Sequence, residues 1–155
     1  MGKTTKNREW FKALPFWRRA ERTVAQQLRL KGVPCKLVAR ENRGWDIETS
    51  AGLRIEVKAG RLMRQKKKGH LIRSSFWAVS IARPHGREHR LREDGVSFYV
   101  IRLLGNSDLR KVYLVLPAPV KKKQLQVTVR QLLTKYRDNV NTWGLIVEAD
   151  KARGK

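Results

Sequence analysis

The sequence predicts an α/β fold in which one mixed sheet is flanked by helices. A helical apolar period comes first, Val-, Ile-, Tyr- and Phe-rich runs follow, and a capped helix comes near the end. That order favours a sheet covered by helices. The 155 residues, 41% of them hydrophobic, suffice for one well-formed core. No repeat or low-complexity linker divides them, so residues 1–155 read as a single domain, with 1–12 an expected flexible basic arm.

From Phe16 to Lys31 the apolar residues Trp17, Ala20, Val24 and Leu28 recur at helical steps, and Gly32 with Pro34 supplies the stop. A strand is expected at Cys35–Ala39, then a charged loop, Arg40–Gly44. Next comes a hairpin: Ile47 shares a side with Trp45, while Leu53, Ile55 and Val57 alternate with Arg54, Glu56 and Lys58. Ser50-Ala51-Gly52 fits a three-residue loop with glycine at the left-handed position. Arg61–Arg73 reads as a basic loop, Phe76–Ala82 as a strand and Arg83–Arg92 as a second basic loop. Ser97–Leu104 and Lys111–Leu116 are strand-like, with Pro117 and Pro119 ending the latter. Thr128 opens a helix to about Arg137, with Gln131 as capping-box partner, and Trp143–Val147 reads as a last short strand.

The net charge is +23, from 36 Lys+Arg against 13 Asp+Glu. Such an excess favours a polyanion, and nucleic acid comes first because lysine and arginine displace counterions from phosphates. Basic residues are spread along the chain instead of gathered on one amphipathic helix, and no apolar run reaches membrane-spanning length, so no membrane partner is expected. The start lacks an apolar signal segment, and the single cysteine, Cys35, excludes an internal disulfide. A cytoplasmic, reducing location is the expectation, with Cys35 a buried structural thiol. Serine-nucleophile, phosphate-loop and zinc-ribbon patterns are absent.

Against that charge, three acids fall inside "GWDIETSAGLRIEVKAG", residues 44–60. The three-residue loop sets Thr49 opposite Leu53, Glu48 opposite Arg54, Ile47 opposite Ile55 and Asp46 opposite Glu56. Glu48 has a cross-strand arginine, an exposed contact worth less than about 1 kcal/mol. Asp46 and Glu56 face each other on one side with Cβ atoms about 4.5–5.5 Å apart, a pairing that sheets avoid. A hard divalent cation between them reverses the sign of that interaction. A solvated strand face balanced by arginines is the plain alternative. Lys58 follows Glu56 on the same face. Glu21 borders the buried stripe of the first helix, where an acid is uncommon unless paired; an ion pair with Arg18 or Arg22 is its plain alternative.

Asp46, nine intervening residues and then Glu56-Val57-Lys58 resemble the PD-(D/E)xK nuclease signature. The upstream helix with Glu21 is similar to that of archaeal Holliday junction resolvases, and the later strands are similar to those of intron-associated endonucleases. The likeness covers roughly Phe16 to Phe76. Trp45 stands where the pattern has proline, at a position that varies widely. The resemblance implies a restriction-endonuclease-like fold and a Mg²⁺-dependent DNA endonuclease, with Mn²⁺ as a substitute and a structure-selective, junction-type substrate. It implies Asp46, Glu56 and the Val57 carbonyl as metal ligands, Lys58 orienting water or stabilising developing charge, and Glu21 helping to place a second metal or a water. Two-strand cutting needs two active sites, which points to a homodimer.

Lys66, Lys67 and Lys68, with Arg83, Arg87 and Arg90, are expected clamps on the DNA backbone, and Lys121–Lys123 add a similar run. His85 and His89 sit in a Pro- and Gly-containing stretch that suits a phosphate-contacting loop better than zinc. Trp77 and Phe76 fit the core better than a stacking platform. Two other readings stay open: a sequence-specific restriction or homing endonuclease of the same fold, and a non-catalytic basic nucleic-acid-binding protein.

Overall fold

The structure of the chain is a computed structural model that describes residues 16–38, 45–66, 73–80, 95–104, 112–118, 120 and 124–154. Helix α1 (Phe16–Leu30) buries Ala20, Val24, Ala25 and Leu28 along one stripe, as the period predicts. It ends in a Schellman motif: Gly32 turns left-handed at φ 82°, its N–H reaches the Arg29 carbonyl at 3.1 Å, and the Val33 N–H reaches the Leu28 carbonyl at 2.9 Å. Val33 and Leu28 are both buried in the same core, the apolar contact that usually accompanies this ending.

Among the described residues seven strands form one mixed sheet: β1 (Cys35–Leu37), β2 (Ile47–Thr49), β3 (Arg54–Lys66), β4 (Arg73–Ser80), β5 (Phe98–Leu104), β6 (Val112–Pro117) and β7 (Gln124–Thr128). The path runs β1-β2-β3-β4-β7, with β5 beside β3 and β6 beside β5. Strand β3 is the hub. It pairs antiparallel with β2 and β4 and parallel with β5. Because Ile55 pairs with both Ile47 and Phe98, and Arg61 with both Ala78 and Leu104, β2 and β4 share one edge of β3 while β5 takes the other.

Each face of the sheet has its own core. On one, α1 and the final helix pack on Ile47, Ile55, Val57, Val100 and Val115. On the other, Tyr99, Ile101, Leu103, Leu114, Trp77, Val79, Leu125 and Val127 close around Leu132 and Tyr136. Trp77 is core, as expected, and its indole N–H donates to the Leu104 carbonyl at 3.0 Å. Cys35 is half-buried, its thiol donating to the Ala25 carbonyl at 3.5 Å, and burial pushes its pKa up. Both features suit a structural thiol.

Four expectations need correction. The Arg61–Arg73 run is not wholly a loop: β3 continues through Lys66 and β4 begins at Arg73. Backbone pairing carries a long hairpin without needing apolar side chains at its tip. Gln124–Thr128 is an additional strand, whose alternation (Leu125 and Val127 buried, Gln126 exposed) was available in the sequence. The capping box at Thr128 is present, with Thr128 Oγ1 accepting the Gln131 N–H at 3.1 Å and Gln131 Oε1 accepting the Thr128 N–H at 3.0 Å. Yet helix α2 (Val129–Leu133) ends four residues before Arg137, and a 3₁₀ turn spans Arg137–Asn139. Finally, the expected strand at Trp143–Val147 is the start of helix α3 (Gly144–Arg153). Its apolar run suits either period, and the outer edge of β6 is already occupied. There Val140 bridges Leu114, Asn141 exchanges bonds with Tyr113, and the Asn139 side chain donates to the Val115 carbonyl at 2.9 Å. Among the described residues no helix is long and apolar enough to cross a membrane.

Candidate active site

The hairpin of β2 and β3 is built by its loop. Gly52 adopts φ 91°, its N–H reaches the Thr49 carbonyl at 2.9 Å, and the Thr49 N–H reaches the Leu53 carbonyl at 2.9 Å. Thr49 Oγ1 also accepts the Leu53 N–H at 3.0 Å. These bonds fix the expected register, with Ile47 opposite Ile55 and Glu48 opposite Arg54.

One step further the two strands part. The chain bends at Asp46, whose N–H donates to the Ile55 carbonyl at 3.0 Å and whose carbonyl accepts the Val38 N–H at 2.9 Å. The β2 ladder ends at Ile55 and the β4 ladder begins at Arg61, so β3 runs between a fork on that edge while β5 continues to pair on the other. The fork closes tightly at its far end. A side chain on Gly60 would place Cβ 2.6 Å from Val79 Cγ2.

Asp46 Oδ2 spans the opening of the fork and accepts the Val57 N–H at 2.8 Å. A strand residue sends its N–H and C=O to the same edge, so the Val57 carbonyl also leaves on the side of Asp46. Glu21 of α1 comes close enough to Asp46, the residue before β2, for the two carboxyl groups to influence each other's protonation. Burial, then the charge of Asp46, pushes the Glu21 carboxyl up to about 7, with Arg18 and Arg22 opposing. Burial likewise raises the Asp46 pKa; the Val57 N–H works against this, Glu56 adds to it, and Lys58 opposes it. Glu56 is held by Lys58, with Nζ 2.8 Å from Oε1 and the two side chains only 20% and 12% exposed. Glu21, Asp46, Glu56 and Lys58 thus form one cluster drawn from α1, β3 and the approach to β2.

As arranged, Glu56 satisfies Lys58 and Asp46 the Val57 N–H. Among the described residues no three His, Cys, Asp or Glu side chains converge as a metal-binding group. The donor chemistry nonetheless suits a hard divalent cation. Two carboxylates and a main-chain carbonyl offer oxygen, and the raised pKa values mark a place where negative charge lacks sufficient compensation.

Glu48 and Arg54 are opposite each other, but an indole lies between their charges. The Trp45 N–H donates to Glu48 Oε2 at 3.2 Å, and the Arg54 guanidinium lies 3.9 Å from the Trp45 ring centroid. Strict alternation predicts that Trp45 shares a side with Ile47, and it does not: Ile47 lies in the first core and Trp45 packs against the second, because the chain bends at Asp46 between them. Of the expected DNA contacts, Lys66 is the last residue of β3. Lys67, Lys68, Arg83, Arg87 and Arg90 lie outside the described residues, as do His85, His89 and Lys121–Lys123.

No protein-family model matches the chain, and no curated protein matches it in sequence. A solved structure does match: the bacterial homing endonuclease I-Ssp6803I, at 14% identity and a TM-score of 0.59. The match covers 88% of this chain and 93% of the other. At that identity the likeness is one of fold, a mixed sheet flanked by helices shared almost end to end.

Proposed function

We propose that the chain is a divalent-metal-dependent endonuclease that hydrolyses phosphodiester bonds in DNA. The observation that carries this reading is the fork itself: Asp46, Glu56, the Val57 carbonyl, Lys58 and Glu21 gather where β2 parts from β3, on a chain of charge +23. A pure binder gains nothing from carboxylates on a surface that must meet phosphate. The nuclease named by the fold comparison lends support from outside the sequence.

Asp46 and Glu56 would hold Mg²⁺, or Mn²⁺ in its place, with the Val57 carbonyl. Bound there, the ion would polarise the scissile phosphate and lower the pKa of a coordinated water. Lys58 engages Glu56 through Oε1, so the second carboxylate oxygen would reach the ion, and the ammonium beside it would stabilise the negative charge that develops on the phosphate. Glu21, with a carboxyl poised near neutrality beside Asp46, would orient a water or carry a proton from it. Exposed basic side chains supply non-specific backbone affinity that weakens with salt.

The substrate class has two contenders. The resemblance of the helix carrying Glu21 favours a four-way junction, and the fold neighbour's name as a homing endonuclease favours a specific duplex site. Cleavage of a synthetic junction and of supercoiled plasmid, with Mg²⁺, Mn²⁺ or EDTA, separates them. Metal-dependent cutting by wild type and none by Glu56→Gln or Lys58→Ala is the expected result, with folding and DNA binding retained. Tight binding of DNA without cutting under any metal would replace this reading with a binding protein. Sedimentation of the complex would test the homodimer that two-strand cutting calls for.

A further inference from the structure

We propose that Trp45 is a positioning residue for Asp46, clamped in place by Arg54, Glu48 and Gly95. The structural part of this inference stands by itself; its consequence for cleavage rests on the nuclease reading.

Trp45 precedes the first pair of the β2 ladder, so sheet pairing does not fix its backbone. Its side chain does. The Arg54 guanidinium covers the ring at 3.9 Å, the indole N–H is tied to Glu48 Oε2 at 3.2 Å, and the ring packs against the second core. Arg54 is held in turn by Ser97, whose Oγ accepts the Arg54 N–H at 3.3 Å and whose N–H donates to the Arg54 carbonyl at 2.7 Å. Gly95 packs close to both partners: a Cβ there would lie 2.8 Å from Arg54 Nη1, so the guanidinium would have to shift, and 3.5 Å from Trp45 Cζ3, an ordinary contact. Its backbone is outside the left-handed region, so only that contact resists a larger residue.

The next residue needs such a hold. Asp46 is a part-buried acid whose charge is opposed by burial and by Glu56, and both favour swinging it out of the fork. A rigid neighbour on its N-terminal side keeps Oδ2 on the Val57 N–H at 2.8 Å. That N–H points to the β2 edge, away from β5, so its protection from exchange reports whether Asp46 is in place.

Amide hydrogen exchange by NMR, in EDTA, on wild type, Trp45→Phe, Trp45→Ala and Gly95→Ala tests this. The Val57 amide is expected to exchange at least about tenfold faster in Trp45→Ala and by a smaller factor in Gly95→Ala, which only displaces the Arg54 guanidinium, while the Val100, Ile101 and Leu114 amides hold their wild-type rates. Trp45→Phe, which keeps a ring under Arg54, is expected to stay within about threefold of wild type. Equal Val57 protection in all four proteins would overturn the proposal. So would acceleration of every amide together, the mark of a merely structural role. Plasmid cleavage by the same proteins should fall in step with Val57 protection. If wild type does not cut, the nuclease reading fails while the exchange result still decides the clamp.

Discussion

Two places on one hairpin, the Glu48–Arg54 rung and the point past Ile47–Ile55 where the strands part, handle charge in opposite ways. At Glu48 and Arg54 the charges are opposite in sign, and the Trp45 indole joins them into a set that needs nothing from outside. At Asp46 and Glu56 they are alike. There the protein compensates with what it has: a backbone N–H and the ammonium of Lys58. The difference teaches that the second place is kept despite its cost. Replacing either acid by a neutral residue would relieve it, whereas the first offers no such gain.

The sharpest way to break this contrast is to neutralise one acid at each place. Glu56→Gln removes a charged ligand from the proposed metal site, and cleavage should fall below detection. Glu48→Gln leaves an oxygen to accept the Trp45 N–H, and cleavage should stay within about threefold of wild type. Single-turnover cutting in Mg²⁺ measures both. Equal losses would mean that the two places share one function and that the distinction drawn from their charges is wrong.

The fork depends on its closed end as well as its acids. Gly60→Ala drives a methyl into buried Val79, a β-branched side chain with little freedom to yield, and should destabilise the protein by about 1–3 kcal/mol. Denaturant unfolding gives the value directly. An unchanged midpoint would show that β4 can withdraw from β3 and that the fork is softer than its contacts imply.

How much of this was legible beforehand follows from the range of the forces. The β2–β3 register was readable because it is set locally, by Gly52 in the loop and by alternation on both strands. Asp46, Glu56 and Lys58 followed from that register and from charges out of keeping with the rest of the chain. Glu21 was legible only as an acid beside an apolar stripe; its approach to Asp46 depends on how α1 lies across the sheet. The failures share a cause. Trp143–Val147 is apolar in a way that fits either period, and what decides for helix is an edge of β6 already taken by Asn139 and Asn141. The clamp on Trp45 is likewise non-local, since Gly95 and Ser97 arrive from 50 residues downstream or more.

The acid cluster should also leave a mark on stability. The Glu21 carboxyl, raised to about 7 in the folded chain, binds its proton more tightly there than in the unfolded chain. Its stabilising contribution is therefore complete below the ordinary carboxylate range and is lost as pH rises through about 7. Glu21 is half-exposed and flanked by arginines, so solvent screening trims the effect to roughly 1 kcal/mol. Without metal, wild type should lose that much between about pH 4 and about pH 8, a span that brackets the rise from the ordinary carboxylate range to about 7. Glu21→Gln should flatten the slope and be the more stable protein at the upper end. Thermal unfolding in EDTA checks it; a slope that survives the substitution would assign the strain to Asp46 alone.

The smallest effect tests whether an uncompensated polar group always signals function. Tyr113 is buried against Trp143, ring centroids 5.2 Å apart, and its hydroxyl has no hydrogen-bond partner. Burial raises its pKa, against the charge of Arg102, so it stays a neutral phenol. Unlike Asp46 it lies in the core beside Trp143, two strands across from Ala59, and joins no cluster of acids. Removing the oxygen therefore relieves a desolvated donor and opens little space. Tyr113→Phe should be neutral or stabilising by up to about 1 kcal/mol, with cleavage unchanged. A loss of stability would reveal a partner for the hydroxyl, and a loss of cleavage would tie this core to the fork. If neither occurs, like-charged carboxylates at an opening and a lone hydroxyl in a core are different things: the first is maintained for a ligand, the second merely tolerated by packing.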